Sequence, residues 1–237
     1  TRLHARACQV TSEILTLLRN GFADGAMARW RTLHEIAAVS LFIGEHGDDV
    51  AERYLLHEVE ESRRAAHQYQ QYIDRLGYEP YSQQVLEELD QECERLEERF
   101  GAAFRGEYGW AWEQLRPKKP SMFLIEQASG IEHLRPFYRM ASHNVHANPK
   151  GVMFKHGLVD ESKVLLAGAS NFGFADPAQN AAISLMQVTS SLARLDSTLD
   201  TVVVTKLMHT LSLEIGDTFV AIQHALEDEV ESVRDGD

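Results

Sequence analysis

The sequence predicts an all-α fold, a helical bundle of about six to eight helices, on three observations. Apolar residues recur at intervals of three and four through the first hundred positions. Gly and Pro fall between these runs rather than inside them. Two long periodic segments close the chain. At 237 residues, 44% hydrophobic and 25% charged, the chain can bury a substantial core and has globular usage. It reads as a single helical domain over 1–237 with three parts: a core over about 10–150, an irregular insertion over about 150–175, and a helical pair over about 176–231.

Val10, Ile14, Leu17 and Leu18 form the first apolar stripe, which ends at the Asn20-Gly21 breaker. Asp24 can cap a second helix, where Met27, Trp30, Leu33, Ala37 and Leu41 recur until Gly47. A third helix is expected from about Asp49 to Leu76, stopped by Gly77. Ser82 then caps an acidic helix with Val85, Leu89, Leu96 and Phe100 inside, and with Glu87, Glu88, Glu94, Glu97 and Glu98 on a solvated face. Glycines surround Phe104, Tyr108, Trp110 and Trp112, aromatic residues that either pack an irregular core segment or stack bases. Pro117 to Pro120 reads as a connector, and Ser121 starts a short helix ending at Gly130. The next helix is expected from about Glu132 to Val145, with Pro136 tolerated in its first turn and Asn148-Pro149 ending it. Val152–Phe154 and Val164–Leu166 leave room for a small β-hairpin after this helix. Two long helices, about 177–194 and 198–231, finish the chain.

Several function classes drop out. No apolar run approaches a membrane span, no secretory leader opens the chain, and Cys8 and Cys93 form neither a disulfide framework nor a metal-ligand spacing. A reducing, cytoplasmic home is the simplest expectation, and Thr1 in place of Met fits a chain whose upstream sequence is missing. No Gly-rich phosphate loop, Cys-x-x-Cys pair or nucleophile elbow is present.

The net charge is −13, which disfavours general affinity for nucleic acid. Its distribution is uneven. Residues 45–100 carry 16 acidic and six basic groups, and 195–237 carry ten and two. Residues 116–155 carry Arg116, Lys118, Lys119, Arg135, Arg139, Lys150 and Lys155 against only Glu126 and Glu132. Such a block points either to an anionic partner such as RNA, with Lys118, Lys119, Arg135 and Lys150 as its contacts, or to a solvated surface.

The most informative segment is Tyr138-Arg139-Met140-Ala141-Ser142-His143-Asn144-Val145-His146. Seven residues are close to two helical turns, so Arg139 and His146 are expected on one face with Ser142 between them. Arginine offers a fixed cationic fork for phosphate, and histidine moves protons near neutral pH. Together they suffice to cleave RNA without a metal or cofactor. The 2′-hydroxyl attacks, histidine acts as acid or base, and arginine stabilises the developing charge.

This arrangement resembles the HEPN superfamily, helical bundles whose nucleases carry an arginine, four to six residues, then a histidine. Arg139 and His146 match that motif with a spacing of six, although Met140 stands where those nucleases usually carry a polar residue. Arg29-Trp30-Arg31-x-Leu33-His34-Glu35, followed by Tyr138-Arg139-x-x-Ser142-x-x-x-His146, also resembles a bacterial domain family of unknown function associated with the same superfamily. The resemblance implies a homodimer acting as a toxin or antiphage-defence ribonuclease, with a possible antitoxin partner. His146 would be the acid or base, assisted by Ser142, His143 and Asn144, with Arg31 and Glu35 supporting. It also implies an alternative, since some members lack activity and serve as binding or dimerisation domains of larger proteins.

Bland readings compete at each position. Arg139 and His146 can simply satisfy helix-end carbonyls. Arg31 and Glu35, four apart, can form a structural ion pair. His57, Glu60 and Glu61 read as a surface network with Arg53 and Arg64. A metal site from His143, His146, His57, Glu60, Glu61, His34 and Glu35 runs against the Glu-before-His order of bundle di-iron sites, so no metal is assigned.

Overall fold

The computed structural model describes residues 1–158 and 165–235, and among the described residues every regular element is a helix and none is a strand. Two compact units emerge: Thr1–Gly44 with Ser129–Asp237, and Glu45–Ala128.

Helix α1, Arg2–Arg19, buries Ala7, Val10 and Ile14, the three-and-four spacing that the sequence announced. Its end is sealed by Asn20, whose Nδ2 donates to the Thr16 carbonyl at 2.7 Å. Helix α2, Ala23–His46, is the spine of the first unit. Trp30, Leu33, His34, Ala37 and Phe42 are each fully buried, so apolar surface turns inward on more than one side. Burying a side chain such as Leu33 or Phe42 contributes about 1.5–3 kcal/mol each relative to exposure.

The second unit begins with α3, Asp48–Leu56, and α4, Glu58–Gln71. The sequence suggested one helix here. The interruption at His57 is slight, because its backbone stays helical at φ −65° and ψ −17°. His57 is buried, with its Nε2 2.8 Å from the Gly106 carbonyl, while Glu61, 3.6 Å from its Nδ1, stays exposed, so the network expected at the surface here runs from core to surface. Glu60 is also buried, with Arg63, Arg64 and Arg105 at 3.6–4.0 Å. The short α5, Ile73–Leu76, ends at the left-handed Gly77.

Helix α6, Gln83–Phe100, starts where expected: Ser82 Oγ accepts from the Val85 amide. Its inner face differs by one position from the sequence reading. Leu86, Cys93 and Leu96 are buried, while Val85 is 39% exposed. Phe104 and Trp110, in 3-10 turns at 102–105 and 109–111, are core residues against His57 and Tyr54. Helices α7, Trp112–Leu115, and α8, Met122–Ala128, complete this unit, with Lys118 and Lys119 exposed between them.

The chain then re-enters the first unit through a 3-10 turn at 132–134 and α9, Arg135–Val145, with Pro136 in the first turn as expected. Helix α10, Pro149–Met153, takes the place of the first hairpin arm: Val152 and Met153 are helical. The reason is local. Asn148 caps the helix, its Oδ1 accepting from Gly151 at 2.7 Å, and Pro149 supplies a first-turn φ. In the second arm, Val164 lies outside the described residues.

Helix α11, Ala175–Ala193, buries small residues (Ala178, Ala181, Ser184 and Ser191), which lets α1 and α2 come close. Trp30 Nε1 reaches both the Asn180 carbonyl and Ser184 Oγ at 3.0 Å, and Ser191 Oγ donates to the Ser40 carbonyl at 2.8 Å. Helix α12, Leu199–Asp235, packs along α11. No helix among the described residues is long and apolar enough to cross a membrane.

Candidate functional site

Helix α9 carries the motif, and its position is fixed by Tyr138. This ring is buried against His34, with centroids 5.5 Å apart, and Trp30 lies beyond His34 at 5.2 Å. The Tyr138 hydroxyl accepts from Arg31 Nη2 and donates to Glu35 Oε1, both at 2.7 Å. Arg31 and Glu35 themselves lie 3.2 Å apart. Burial, followed by the hydrogen bond to Glu35, raises the phenol above its ordinary value. Arg31 and Glu35 thus form the ion pair that their spacing allows, and both bind the hydroxyl of Tyr138, the residue before Arg139.

From this anchor, α9 directs its next face outward. Arg135, Arg139, Ser142, His143, Asn148 and Lys150 line one cleft of about 910 Å³. Arg139 and Lys150 are exposed and have no ion-pair partner among the described residues. Among the described residues lining the cleft there is no carboxylate. In a chain of net charge −13, this lining with Arg135, Arg139 and Lys150 is locally cationic.

His143 is oriented by a short relay. Asn148 Oδ1 is taken by the Gly151 amide, so Asn148 Nδ2 faces His143 Nδ1 at 3.1 Å and must donate to it. With Nδ1 an acceptor, the neutral ring carries its hydrogen on Nε2. The relay depends on close backbone approach: a Cβ on Gly151 would sit 2.0 Å from the His143 carbonyl oxygen. Ser142 Oγ donates to the Tyr138 carbonyl at 2.9 Å, so its hydrogen is committed to the helix while its lone pairs remain.

His146 is the C-cap of α9 and is not among the residues lining the cleft that holds Arg139. Helix α9 ends at Val145, and His146 is already extended at φ −110° and ψ 140°, exposed and outside the cleft lining. Asn144 turns away, with both side-chain amide atoms buried and unpartnered among the described residues. Lys118 and Lys119 belong to the second unit.

The histidine–carboxylate set considered for a metal is dispersed. His34 and Glu35 lie in the first unit, His57, Glu60 and Glu61 in the second, and no group of three or more metal-ligating side chains forms among the described residues. Tyr138 and Asn148 are the residues of this candidate site that the sequence reading did not single out. Tyr138 stood in the motif itself, and Asn148 carried an N-cap signal before Pro149.

Residues 1–163 match the model of a family of unknown function (DUF5677), a match over more than half of the chain, which therefore belongs to this family. No curated protein and no solved structure matches it.

Proposed function

We propose that this DUF5677 member is a metal-independent endoribonuclease of the HEPN type that its motif resembles. The observation that carries the reading is the α9 cleft: Arg135, Arg139, Lys150 and the Nε2–H of His143 are all donors, and no carboxylate lines it. A pocket of donors suits a phosphodiester. Arg139 holds the scissile phosphate and His143 donates to a non-bridging oxygen. The 2′-oxygen forms its bond to phosphorus while the bond to the 5′-oxygen breaks. His146, exposed at the end of α9, removes the 2′-proton or returns one to the leaving oxygen. RNA is thus the substrate, and the cytoplasmic homodimer, defence or toxin setting and antitoxin partner belong to the same proposal.

The test is cleavage of an end-labelled single-stranded RNA in the presence of EDTA. Cleavage should leave 2′,3′-cyclic phosphate ends. Arg139→Ala should weaken binding and cleavage together, and His146→Gln should remove cleavage while retaining binding. Circular dichroism should be unchanged. Wild-type protein that leaves the RNA intact, or variants that cut as fast as wild type, sinks the reading.

The second reading, a dimerisation or binding domain, is favoured by one feature. Leu199, Val203, Leu207 and Leu211 recur every four residues on α12 and are 45–79% exposed. Such a stripe is the side-chain pattern of a helix–helix seam.

A further inference from the structure

A second cavity of the first unit, of about 730 Å³, lies among the segment after α10, the start of α11 and the C-terminal half of α12. It is independent of the nuclease reading and differs in character from the basic cleft. Its central residue is His156, whose side chain is only 5% exposed.

The ring is held by Asp24 at the start of α2. Asp24 Oδ1 accepts from the His156 amide at 3.0 Å and lies 3.3 Å from its Nδ1, while Oδ2 accepts from Gly157 at 3.5 Å. Those hydrogen bonds outweigh the burial of Asp24, whose carboxyl is held below its ordinary value and is therefore an ionised, acceptor-only group. Nδ1 must supply the hydrogen, which leaves Nε2 of the neutral ring as a lone-pair acceptor. That atom is buried and has no partner among the described residues. The loop is tightly built around it. Gly173 has φ +81°, and a Cβ there would approach the His156 carbonyl oxygen to 2.2 Å, so only glycine fits.

Three of the other polar groups of the cavity are carboxylates. Asp176, Glu227 and Glu231 line it, and burial raises Asp176 above the ordinary carboxyl value. Glu227 Oε1 takes one hydrogen from Gln223 at 3.0 Å and keeps its remaining lone pairs. The one lysine, Lys155, donates its ammonium group to the Gly151 carbonyl at 2.9 Å. His224 is the remaining titratable group of the lining, and Phe154, Phe172 and Val220 supply apolar surface. A buried acceptor without a donor costs about 1–3 kcal/mol. Three carboxylates beside it call for positive charge, and the aromatic faces favour a cation further.

We propose that this cavity binds a small organic ammonium ion with an apolar body. His156 Nε2 and the carboxylates of Asp176, Glu227 and Glu231 accept its N–H groups, and Phe154, Phe172 and Val220 cover its hydrocarbon part. The probes are 2-phenylethylammonium, the neutral 2-phenylethanol and the anionic phenylacetate. Each is titrated into the chain by calorimetry and by imidazole ¹⁵N NMR. The ammonium should bind about tenfold or more tightly than the alcohol, the carboxylate should not bind, and the His156 Nε2 resonance should move with saturation. Asp176→Asn and Glu227→Gln should each weaken the ammonium several-fold. Glu227→Gln lies on α12, away from the Asp24–His156 turn, so that arm does not depend on the loop tolerating substitution. Equal binding of ammonium and alcohol overturns the proposal. So does binding that leaves the His156 resonance and both variants unaffected, or no heat and no shift with any probe.

Discussion

Asn148 donates its side-chain amide hydrogen to His143 Nδ1 at 3.1 Å, while the same amide's oxygen caps α10 through Gly151 at 2.7 Å. One residue thus starts a helix and selects a histidine tautomer. Because the cap fixes which way the amide faces, the ring presents Nε2–H to the cleft.

This relationship is testable without any substrate. Aspartate is as good an N-cap as asparagine but only accepts. Asn148→Asp should therefore keep α10 and move the hydrogen of neutral His143 from Nε2 to Nδ1. Imidazole ¹⁵N spectra distinguish the two tautomers. A wild-type ring protonated on Nδ1 would contradict the arrangement, and RNA binding by the Asp variant should fall because the donor in the cleft is lost and a negative charge is gained.

Tyr138 offers a stability test of the anchor beneath the cleft. Tyr138→Phe keeps the ring packing against His34 and the Arg31 guanidinium, which lies 4.8 Å from the ring centroid. It removes the hydroxyl that bridges Arg31 and Glu35. The expected cost is about 1–2 kcal/mol in urea unfolding, with helicity retained. A change within experimental error would mean that the Arg31–Glu35 pair satisfies itself without the phenol.

Local signals carried much of this architecture. Ser82, Pro136 and Asn148-Pro149 mark helix ends by chemistry confined to a few residues, and the structure places boundaries there. On α6, Leu96 is buried as its spacing suggests, but the first inner position is Leu86 and not Val85, because both are apolar and only the neighbouring helix selects between them. The spacing of Arg139 and His146 assumes a helix that persists for two turns, and α9 ends at Val145, so His146 stands at the helix end. The Asp24–His156 contact joins positions 132 apart, and no periodicity encodes a pairing of that range.

The two cysteines should differ sharply. Cys93 is buried in the second unit, and burial, followed by the nearby Glu60 carboxylate, pushes its thiol up to about 11. Cys8 is exposed. Titration with a disulfide reagent at pH 8 should find one fast thiol in the folded chain and a second only after denaturation. Two fast thiols would show that the α6 inner face opens readily.

Salt dependence tests the cleft and the rest of the basic block. Lys150→Glu should weaken RNA binding about tenfold at moderate salt and reduce the slope of log K against log salt by about 0.7, the loss of one phosphate contact on a single strand. Reversing Lys118 and Lys119, exposed in the connector between α7 and α8, should also weaken binding. Reversing Glu87 and Glu88 on α6 should leave it unchanged or slightly stronger. Equal, small effects from all three sets would make the basic block a solvated surface and favour the non-catalytic reading.

The carboxyls on either side of His156 should respond to pH with opposite signs. Burial pushes Asp176 above its ordinary value of 3.8. Its ionisation therefore opposes folding: the penalty is absent below the unfolded value, grows as pH rises through the raised folded value, and persists at neutrality. Asp24 is likewise penalised by burial, but the hydrogen bonds from His156 and Gly157 prevail and its carboxyl is held below 3.8. Its contribution is present in full above the unfolded value and is lost as pH falls through the lower folded one. Asp176→Asn should accordingly stabilise the chain at pH 7, with the gain shrinking toward pH 3. Asp24→Asn should destabilise it at pH 7, with the loss shrinking at still lower pH. Urea midpoints for wild type and both variants across this range measure the two effects. The same sign for both substitutions at pH 7 would refute the assignment of opposite roles to the two carboxylates, and with it the picture of Asp176 as a charge held in place for a cationic ligand.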